Sequence, residues 1–104
     1  MKKYILHFSI KVNGSKYREL LNILEVELTS VKLQGCLERA IFQSIEDLNS
    51  ITYVEEWNDL VLLKSSFKGS RFNFIFGAVK NLADEWEMEV LENMKIKDLE
   101  SLTI

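Results

Sequence analysis

The chain has 104 residues, of which 47% are hydrophobic and 28% charged, and its formal net charge is −3. This length and composition predict one soluble domain that spans residues 1–104. Lysine and arginine are scattered without a basic stripe, which argues against a nucleic-acid partner because counterion release needs clustered positive charge. The single cysteine, Cys36, excludes an internal disulfide and favours a reducing, cytoplasmic location.

The first predicted element is a strand over Tyr4 to Val12. Apolar side chains alternate there with other residues at a period of two, which is typical of a strand with one buried face. Because His7, Ser9 and Lys11 interrupt this apolar stretch, it is too short to cross a bilayer and does not resemble a secretion signal. We therefore expect no membrane partner.

The hydrophobic period then changes to that of an amphipathic helix. Ser15 can cap this helix, and Gly35 can stop it near Leu33. The polar residues outside the apolar stripe, Glu27 among them, are expected to face solvent. The stripe itself consists of Tyr17, Leu20, Leu21, Leu24, Leu28 and Val31.

The rest of the chain predicts three more strands and two short helical pieces. Asp59 and Ser70 are suitable caps for the two helices. Gly77, inside the second helix, costs about 1 kcal/mol relative to alanine, which indicates close packing at that position. The predicted strands run from Cys36 to Gln43, Ile51 to Trp57 and Glu85 to Met94, and the helices from Leu60 to Lys64 and from Ser70 to Leu82.

The order of elements, β-α-β-β-α-β, predicts a ferredoxin-like α+β fold with both helices on one face of a four-stranded antiparallel sheet. The opposite face carries apolar residues such as Ile5, which water covers poorly. We therefore expect a homodimer in which two sheets pack face to face as a dimeric α/β barrel. The tail, residues 95–104, keeps several apolar residues and is a candidate for a dimer contact.

Four short stretches stand out within this order: the run Gly35-Cys36-Leu37, the strand end Phe42-Gln43, the sequence Glu55-Glu56-Trp57, and Phe72, fifteen residues after that tryptophan. Together with the first strand and helix they resemble the antibiotic biosynthesis monooxygenase (ABM) family, most closely its small bacterial quinol monooxygenase type. The resemblance covers roughly Tyr4 to Met94. It implies a dimeric α/β barrel, whereas activities in the family range from cofactor-free oxygenation of polyphenols to haem degradation and the modification of signal molecules.

Three positions depart from the functional residues of the family. Many members carry a histidine nine residues after the tryptophan, where this chain has Ser66. The polyphenol oxygenases carry an asparagine four residues before the tryptophan and a tyrosine six residues after it, where this chain has Tyr53 and Leu63. The region from Leu60 to Leu82 holds no histidine that could ligate haem, so haem cleavage is not expected.

Trp57 and Tyr53 are the leading catalytic candidates. They share one face of the third strand, at the mouth of the pocket that the resemblance implies between sheet and helices. Trp57 could stack on a flat aromatic substrate, and the Tyr53 hydroxyl could bond a substrate oxygen. The simpler interpretation of both residues is packing. The candidate substrate-binding residues are Leu63, Ser66, Phe72 and Phe76.

His7 is the third catalytic candidate, because a base that titrates near neutrality suits phenol deprotonation. It lies on the strand face opposite Leu6 and Phe8, which directs it toward the dimer rather than toward the monomer's pocket. Cys36 has no neighbouring base in the sequence and is more simply a small buried hydrophobe. One histidine and one cysteine cannot build the usual protein zinc site, so we expect neither a metal nor a cofactor.

The resemblance to the ABM family, together with an aromatic-rich sequence that lacks a metal site, implies a cofactor-independent monooxygenase that acts on a small aromatic or quinol-like substrate. The alternative is a non-catalytic dimeric barrel that binds a small hydrophobic molecule. The departures from the family at Ser66, Tyr53 and Leu63 favour this alternative.

Overall fold

A computed structural model describes residues 2–30, 32–94 and 96 of the chain. The predicted and observed strands agree to within two residues at each end, and two short helices join the third strand to the fourth, as predicted. The elements are β1 (Tyr4–Lys11), α1 (Ser15–Leu28), β2 (Cys36–Gln43), β3 (Ser50–Trp57), α2 (Leu60–Ser66), α3 (Ser70–Leu82) and β4 (Glu85–Glu92).

The four strands form one antiparallel sheet in the order β2-β3-β1-β4. The central strand β1 pairs with β3 on one side and β4 on the other, so Phe8 lies opposite both Tyr53 and Met88. This strand order, combined with the order of elements along the chain, confirms the predicted ferredoxin-like α+β fold.

The helices cover one face of the sheet and bury its inward-pointing side chains. Alternation along β1 directs Leu6, Phe8 and Ile10 toward the helices, as predicted, and all three are buried. The helices add Leu20, Leu21, Leu24, Leu63, Phe72, Ile75 and Val79 to the same core. Full burial of each large apolar side chain contributes about 1.5–3 kcal/mol, so this face supplies most of the driving force for folding.

Helix α1 ends at Leu28, well before the predicted stop near Leu33. The hydroxyls of Thr29 and Ser30 donate to backbone carbonyls of the last helical turn and so offer the chain an alternative to continuing the helix. Gly35 does adopt a left-handed φ of 88°, but it does so in the turn before β2 and not at the end of the helix.

Capping by a side chain sets the start of α2 but not that of α3. The Asp59 carboxylate accepts a hydrogen bond from the Leu62 backbone amide at 3.0 Å, as predicted for an N-cap. The N-cap of α3 is Gly69 rather than Ser70. The prediction of close packing at Gly77 is wrong, because a Cβ placed there would meet no atom within 4 Å.

The sheet face opposite the helices is partly covered by Ile96 of the same chain. Beyond β4, Asn93 adopts a left-handed φ of 61°. Ile96 then packs against Ile5 and Val54, and its backbone amide donates to Glu56 Oε1 at 2.9 Å. Ile5 is therefore buried by its own chain, contrary to the expectation that a second copy covers it.

Two predictions fall on residues outside the described ranges. They are the place of Val31 in the α1 stripe and, apart from Ile96, the expected contacts of the tail. Within the described ranges, no helix has the length and apolar character needed to cross a membrane.

Candidate active site

Tyr53, Glu55 and Trp57 project from β3 toward the helices, because alternate residues of a strand share a face. All three side chains are buried, and Glu55 is only 1% exposed. The Tyr53 hydroxyl donates to Glu55 Oε2 at 2.6 Å, and the Trp57 indole Nε1 donates to Glu55 Oε1 at 3.1 Å. One carboxylate therefore holds the polar atoms of both leading catalytic candidates.

Arg71, near the start of α3, supplies the positive charge that this carboxylate requires. Its Nη2 donates to Glu55 Oε2 at 2.9 Å, and its Nη1 donates to Glu27 Oε2 at 3.1 Å. An unpaired carboxylate in an apolar core is strongly disfavoured, so this pairing is what permits Glu55 to lie there. The guanidinium also joins α3 to both β3 and α1.

Glu27 turns inward, contrary to the expectation that it faces solvent. Besides its pair with Arg71, its Oε2 lies 3.4 Å from the Ser30 hydroxyl. That hydroxyl also accepts a hydrogen bond from Arg39 Nη1 at 2.8 Å. The polar network thus runs from β3 through α3 and the end of α1 to β2, and it connects four elements of the fold.

Burial and the adjacent Glu55 charge both raise the pKa of Tyr53 above its ordinary value. Burial alone disfavours the charged form of Arg71, but the Glu55 carboxylate outweighs it and raises the pKa of the guanidinium. Tyr53 is therefore a neutral phenol and Arg71 a cation at physiological pH. Tyr53 can donate a hydrogen bond but cannot act there as a general base.

Gly35 allows α2 to pack closely against Trp57. A Cβ at Gly35 would lie 2.8 Å from Leu62 Cδ1 and 3.4 Å from Trp57 Cε3. The Gly35 carbonyl also accepts a hydrogen bond from the Asn58 backbone amide at 2.9 Å, which anchors the segment between Trp57 and α2. The lack of a side chain at this position therefore matters for the contact between helix and indole.

Three of the four candidate substrate-binding residues, Leu63, Phe72 and Phe76, are packed within the same core. Leu63 and Phe72 are buried, and Phe76 is half-buried. The rings of Phe72 and Phe76 stack with their centroids 5.7 Å apart, and Trp86 meets Phe76 edge-on. The Ser66 hydroxyl donates to the Leu63 backbone carbonyl at 2.6 Å, so its hydrogen is used within α2.

The structure separates His7 from the other two catalytic candidates. His7 lies on the opposite face of the sheet, as predicted, between Val54 and Glu89 of the neighbouring strands. Its Nδ1 is 3.8 Å from Glu89 Oε1, near the limit for an ion pair. The sheet stands between His7 and any ligand that lies beside Trp57.

Cys36 has the properties of a small hydrophobe rather than a nucleophile. Burial, followed by the negative charge of Glu55, raises the pKa of its thiol to about 11. The reactive thiolate is therefore scarce at neutral pH. Across the described part of the chain, no group of three or more histidine, cysteine, aspartate or glutamate side chains is placed to hold a metal ion.

An open depression of about 390 Å³ lies at the opposite end of β1 from Trp57. Trp57 pairs with Tyr4, whereas the depression reaches Lys11, which is roughly 20 Å away at the rise of an extended strand. It is therefore distinct from the site predicted between sheet and helices. Its lining residues are Ser9, Lys11, Glu85, Trp86 and Glu87.

Reasoning from the sequence missed the central role of Glu55 and the participation of Arg71. The signal for Glu55 was present, because strand alternation places it on the same face as Tyr53 and Trp57. Arg71 carries no such signal, since its partner Glu55 lies sixteen residues away and on a different element.

No protein-family model and no curated protein sequence matches this chain, but solved structures do. A conserved protein of unknown function from Bacteroides thetaiotaomicron, described as a possible oxidoreductase, is 25% identical, with a TM-score of 0.77 over 88% of this chain and 97% of that one. A provisionally named antibiotic biosynthesis monooxygenase from Deinococcus radiodurans is 15% identical, with a TM-score of 0.78 over 88% and 93%. A variant of SnoaB, a cofactor-independent oxygenase from Streptomyces nogalater, is 12% identical, with a TM-score of 0.69 over 86% and 90%.

The chain has the fold of the antibiotic biosynthesis monooxygenases. The resemblance inferred from the sequence is thereby confirmed at the level of the fold. Within this ABM-like fold, the inward face of β3 presents the buried set of Tyr53, Glu55 and Trp57 beneath α2 and α3. The fold by itself specifies neither a substrate nor a reaction.

Proposed function

We propose that this chain is an ABM-like, cofactor-independent monooxygenase that acts on a small aromatic or quinol-like substrate. The observation that carries the proposal is the ABM-like fold with two buried aromatic side chains, Trp57 and Tyr53, on the inward face of β3. Such rings favour flat, electron-rich ligands through stacked or edge-on contacts. The substrate would lie beside them, between the sheet and helices α2 and α3.

In the proposed reaction the substrate supplies all four electrons that dioxygen accepts, so no external reductant is needed. A ring carbon that bears two hydrogens, as in an anthrone or the keto tautomer of a dihydroxyarene, becomes a carbonyl; one atom of dioxygen enters the product, and the other leaves as water with the two hydrogens of that carbon. The protein's part is to hold the ring, exclude water and keep the reacting carbon accessible to oxygen. No side chain needs to carry redox equivalents in this scheme.

Ligand entry in this proposal requires α2 to move. Trp57 and Tyr53 are fully buried, and Leu62 and Leu63 of α2 pack in the same region. The helix has seven residues and is followed by the turn at Phe67 to Gly69, and its displacement exposes the buried Leu63 side chain and the apolar side chains that pack beside it. Exposing a buried leucine costs about 1.5–3 kcal/mol, so in this proposal the open form is a minor population that the ligand selects.

We further propose that the protein is a cytoplasmic homodimer that uses the sheet face opposite the helices. Half-buried apolar residues remain on that face even though Ile96 covers Ile5 and Val54. They include Ala40, Phe42 and Leu91. A second copy packed on this face would remove them from water.

Oxygen consumption tests the enzymatic proposal. Protein treated with a chelator is mixed with a panel of dihydroxynaphthalenes and anthrones, and oxygen uptake is followed with an electrode. We expect uptake above the protein-free rate with at least one compound, and a loss of that increment in Trp57→Ala. Uptake equal to the blank across the panel, with wild type and variant indistinguishable, would refute the proposal.

The second candidate function is binding without turnover, and the hydrogen bond from Tyr53 to Glu55 favours it. That bond occupies the phenolic hydrogen at the position where the polyphenol oxygenases carry an asparagine. Isothermal titration with the same panel under argon separates the two functions. Binding accompanied by oxygen uptake supports the enzyme, whereas binding with no uptake supports a carrier or sequestering protein.

A further inference from the structure

Glu55 satisfies the hydrogen-bond donors of both Tyr53 and Trp57, the two leading catalytic candidates. The Tyr53 hydroxyl and the Trp57 indole N–H both end on its carboxylate, one on each oxygen. Arg71 donates to the same Oε2 that accepts from Tyr53. Hydrogen bonds to a charged acceptor are roughly twice as strong as neutral ones, so neither aromatic side chain gains by exchanging Glu55 for a neutral ligand oxygen.

We propose that Glu55 is the positioning residue of the site, and that it restricts Tyr53 and Trp57 to contact a ligand through their ring surfaces alone. This inference rests on the proposed function, because it concerns the ligand that the site between sheet and helices accepts. It replaces the earlier hypothesis that the Tyr53 hydroxyl bonds a substrate oxygen. The oxygens of a quinol-like ligand must then find other partners.

The shape and electron density of the ligand's aromatic ring should therefore decide which ligands the site prefers. A site whose polar groups bond the ligand rejects an analogue that lacks the matching group, whereas an apolar site discriminates weakly between a hydroxyl and its ether. Because Glu55 engages both donors, the surface that Tyr53 and Trp57 present to a ligand is apolar. Methylation of a ligand hydroxyl should therefore lower the binding affinity only slightly through its contacts with Tyr53 and Trp57.

The first test needs no ligand. The sequence has two tryptophans, so the wild-type protein gives two indole N–H signals in a ¹⁵N–¹H NMR spectrum, and Trp86→Phe assigns them. Glu55→Gln should shift the Trp57 signal and speed its exchange with solvent by about tenfold, the ratio for loss of one hydrogen bond to a charged acceptor. The Trp86 signal serves as the internal reference.

Glu56→Gln is the matched control for this test. Glu56 is also a buried glutamate of β3, but it lies on the other face and accepts from the Ile96 backbone amide. It should leave the Trp57 indole signal in place. A Trp57 signal that is unchanged in a folded Glu55→Gln protein would overturn the positioning role.

The second test compares two ligands, 1,4-dihydroxynaphthalene and its dimethyl ether, bound under argon. If Glu55 holds the phenol, Tyr53→Phe leaves the ratio of the two dissociation constants within about twofold of wild type. If Tyr53 bonds the ligand instead, the same variant lowers the preference for the dihydroxy compound by about fivefold, which would overturn the inference. This conservative variant keeps the test decisive even where Glu55→Gln fails to fold.

In Glu55→Gln, the ratio of the two dissociation constants gives a further test, because this ratio would not change if Glu55 only stabilised the fold. Because Arg71 donates to Oε2, the glutamine oxygen takes that place and the amide NH2 faces the Trp57 indole. The Tyr53 hydroxyl then bonds a neutral oxygen, which holds the phenolic hydrogen less strongly than the carboxylate and leaves it more available to a ligand. The preference for the dihydroxy compound should therefore rise in Glu55→Gln, and a folded variant with an unchanged ratio would count against the inference. If neither compound binds to wild type, the proposed function fails, and the indole signal alone decides whether Glu55 positions Trp57.

Discussion

At the scale of single residues, the site depends on a charge that lies inside the apolar core. Arg71 is shared by two carboxylates, Glu55 and Glu27, which are 1% and 7% exposed. Replacing one partner of a buried ion pair is far more costly than replacing the whole pair, because the remaining charge loses its compensation. The stability of the fold should therefore be sensitive to Arg71 in particular.

Arg71→Met should lower the free energy of unfolding by about 3–5 kcal/mol, since it leaves two carboxylates buried without their cation. Urea denaturation followed by circular dichroism measures this change. Arg18→Met is the matched control, because Arg18 is exposed on α1, and its effect should stay within about 0.5 kcal/mol. Equal effects of the two variants would show that the network contributes nothing specific.

Tyr53 should make the protein lose stability at high pH. Its pKa in the folded chain is raised from an ordinary value of 10.0, so the unfolded chain releases this proton first. Its contribution is complete below pH 10 and is lost as pH rises further, by up to about 1.4 kcal/mol per pH unit. Cys36, whose pKa is raised from 9.0 to about 11, adds a loss of its own that begins near pH 9 and ends near pH 11.

Tyr53→Phe should flatten this decline above pH 10, as measured by urea denaturation at intervals between pH 8 and 11. Tyr17→Phe is a suitable control, because the half-buried Tyr17 hydroxyl bonds to Gln43 and does not contact Glu55. A decline that is equally steep in wild type and in Tyr53→Phe would contradict the assigned role of Tyr53.

At the scale of elements, the contact of α2 with Trp57 depends on the turn before β2. Gly35 combines a left-handed backbone with contact distances that exclude a methyl group. Gly14 shares the left-handed φ but would place a Cβ in open space. Alanine substitution at the two glycines therefore separates two contributions to the free energy of unfolding: the strain of the left-handed backbone, present at both positions, and the contact with Leu62, present only at Gly35.

Gly35→Ala should destabilise the fold by about 2–4 kcal/mol, because strain in the left-handed region adds to overpacking against Leu62. Gly14→Ala should cost only about 1–2 kcal/mol, the strain alone. Thermal unfolding of both variants gives the comparison, and Trp57 fluorescence should change only in Gly35→Ala. Identical losses in the two variants would mean that α2 does not press on this turn.

The elements also show what the sequence could predict. Period-two and helical patterns depend on neighbouring residues, so the strands and the apolar stripes of the helices were predicted well. The end of α1 was misplaced because the hydroxyls of Thr29 and Ser30 compete for its last carbonyls, which hydrophobic periodicity does not register. The Glu55–Arg71 pair depends on how α3 packs across β3, and no local pattern encodes it.

At the scale of the whole molecule, the two sheet faces differ in how they are covered. The helices bury most of the inward side chains of the central strands β1 and β3 but leave Trp86 and Val90 of β4 37% and 36% exposed. On the other face, the chain's own Ile96 covers only part of the apolar surface. The burial of Ile5 therefore no longer argues for a dimer, and that proposal depends on the remaining apolar residues such as Phe42. The ferredoxin-like topology was predictable because it follows from the order of elements, and its likeness to the ABM family came from the resemblance of short stretches such as Glu55-Glu56-Trp57. The covering of the second face was not predictable in this way.

Light scattering at micromolar concentration should give a mass of twice the 12.1 kDa of one chain. Phe42→Lys should shift the protein toward the single-chain mass, because it places a charge on the proposed contact face. Phe74→Lys is the matched control, since Phe74 is 59% exposed on α3, on the opposite side of the sheet. A wild-type mass of 12.1 kDa would refute the dimer.

The origin of the oxygen atom in the product tests the proposed monooxygenase most directly. A substrate that supports oxygen uptake is converted under ¹⁸O₂ in ordinary water, and the product is analysed by mass spectrometry. The proposed reaction predicts one ¹⁸O atom per product molecule, with the second atom of dioxygen lost as water, and no labelled product from Trp57→Ala above the uncatalysed level. A product without ¹⁸O, or equal labelling with and without the protein, would contradict the assignment of monooxygenase activity to this chain.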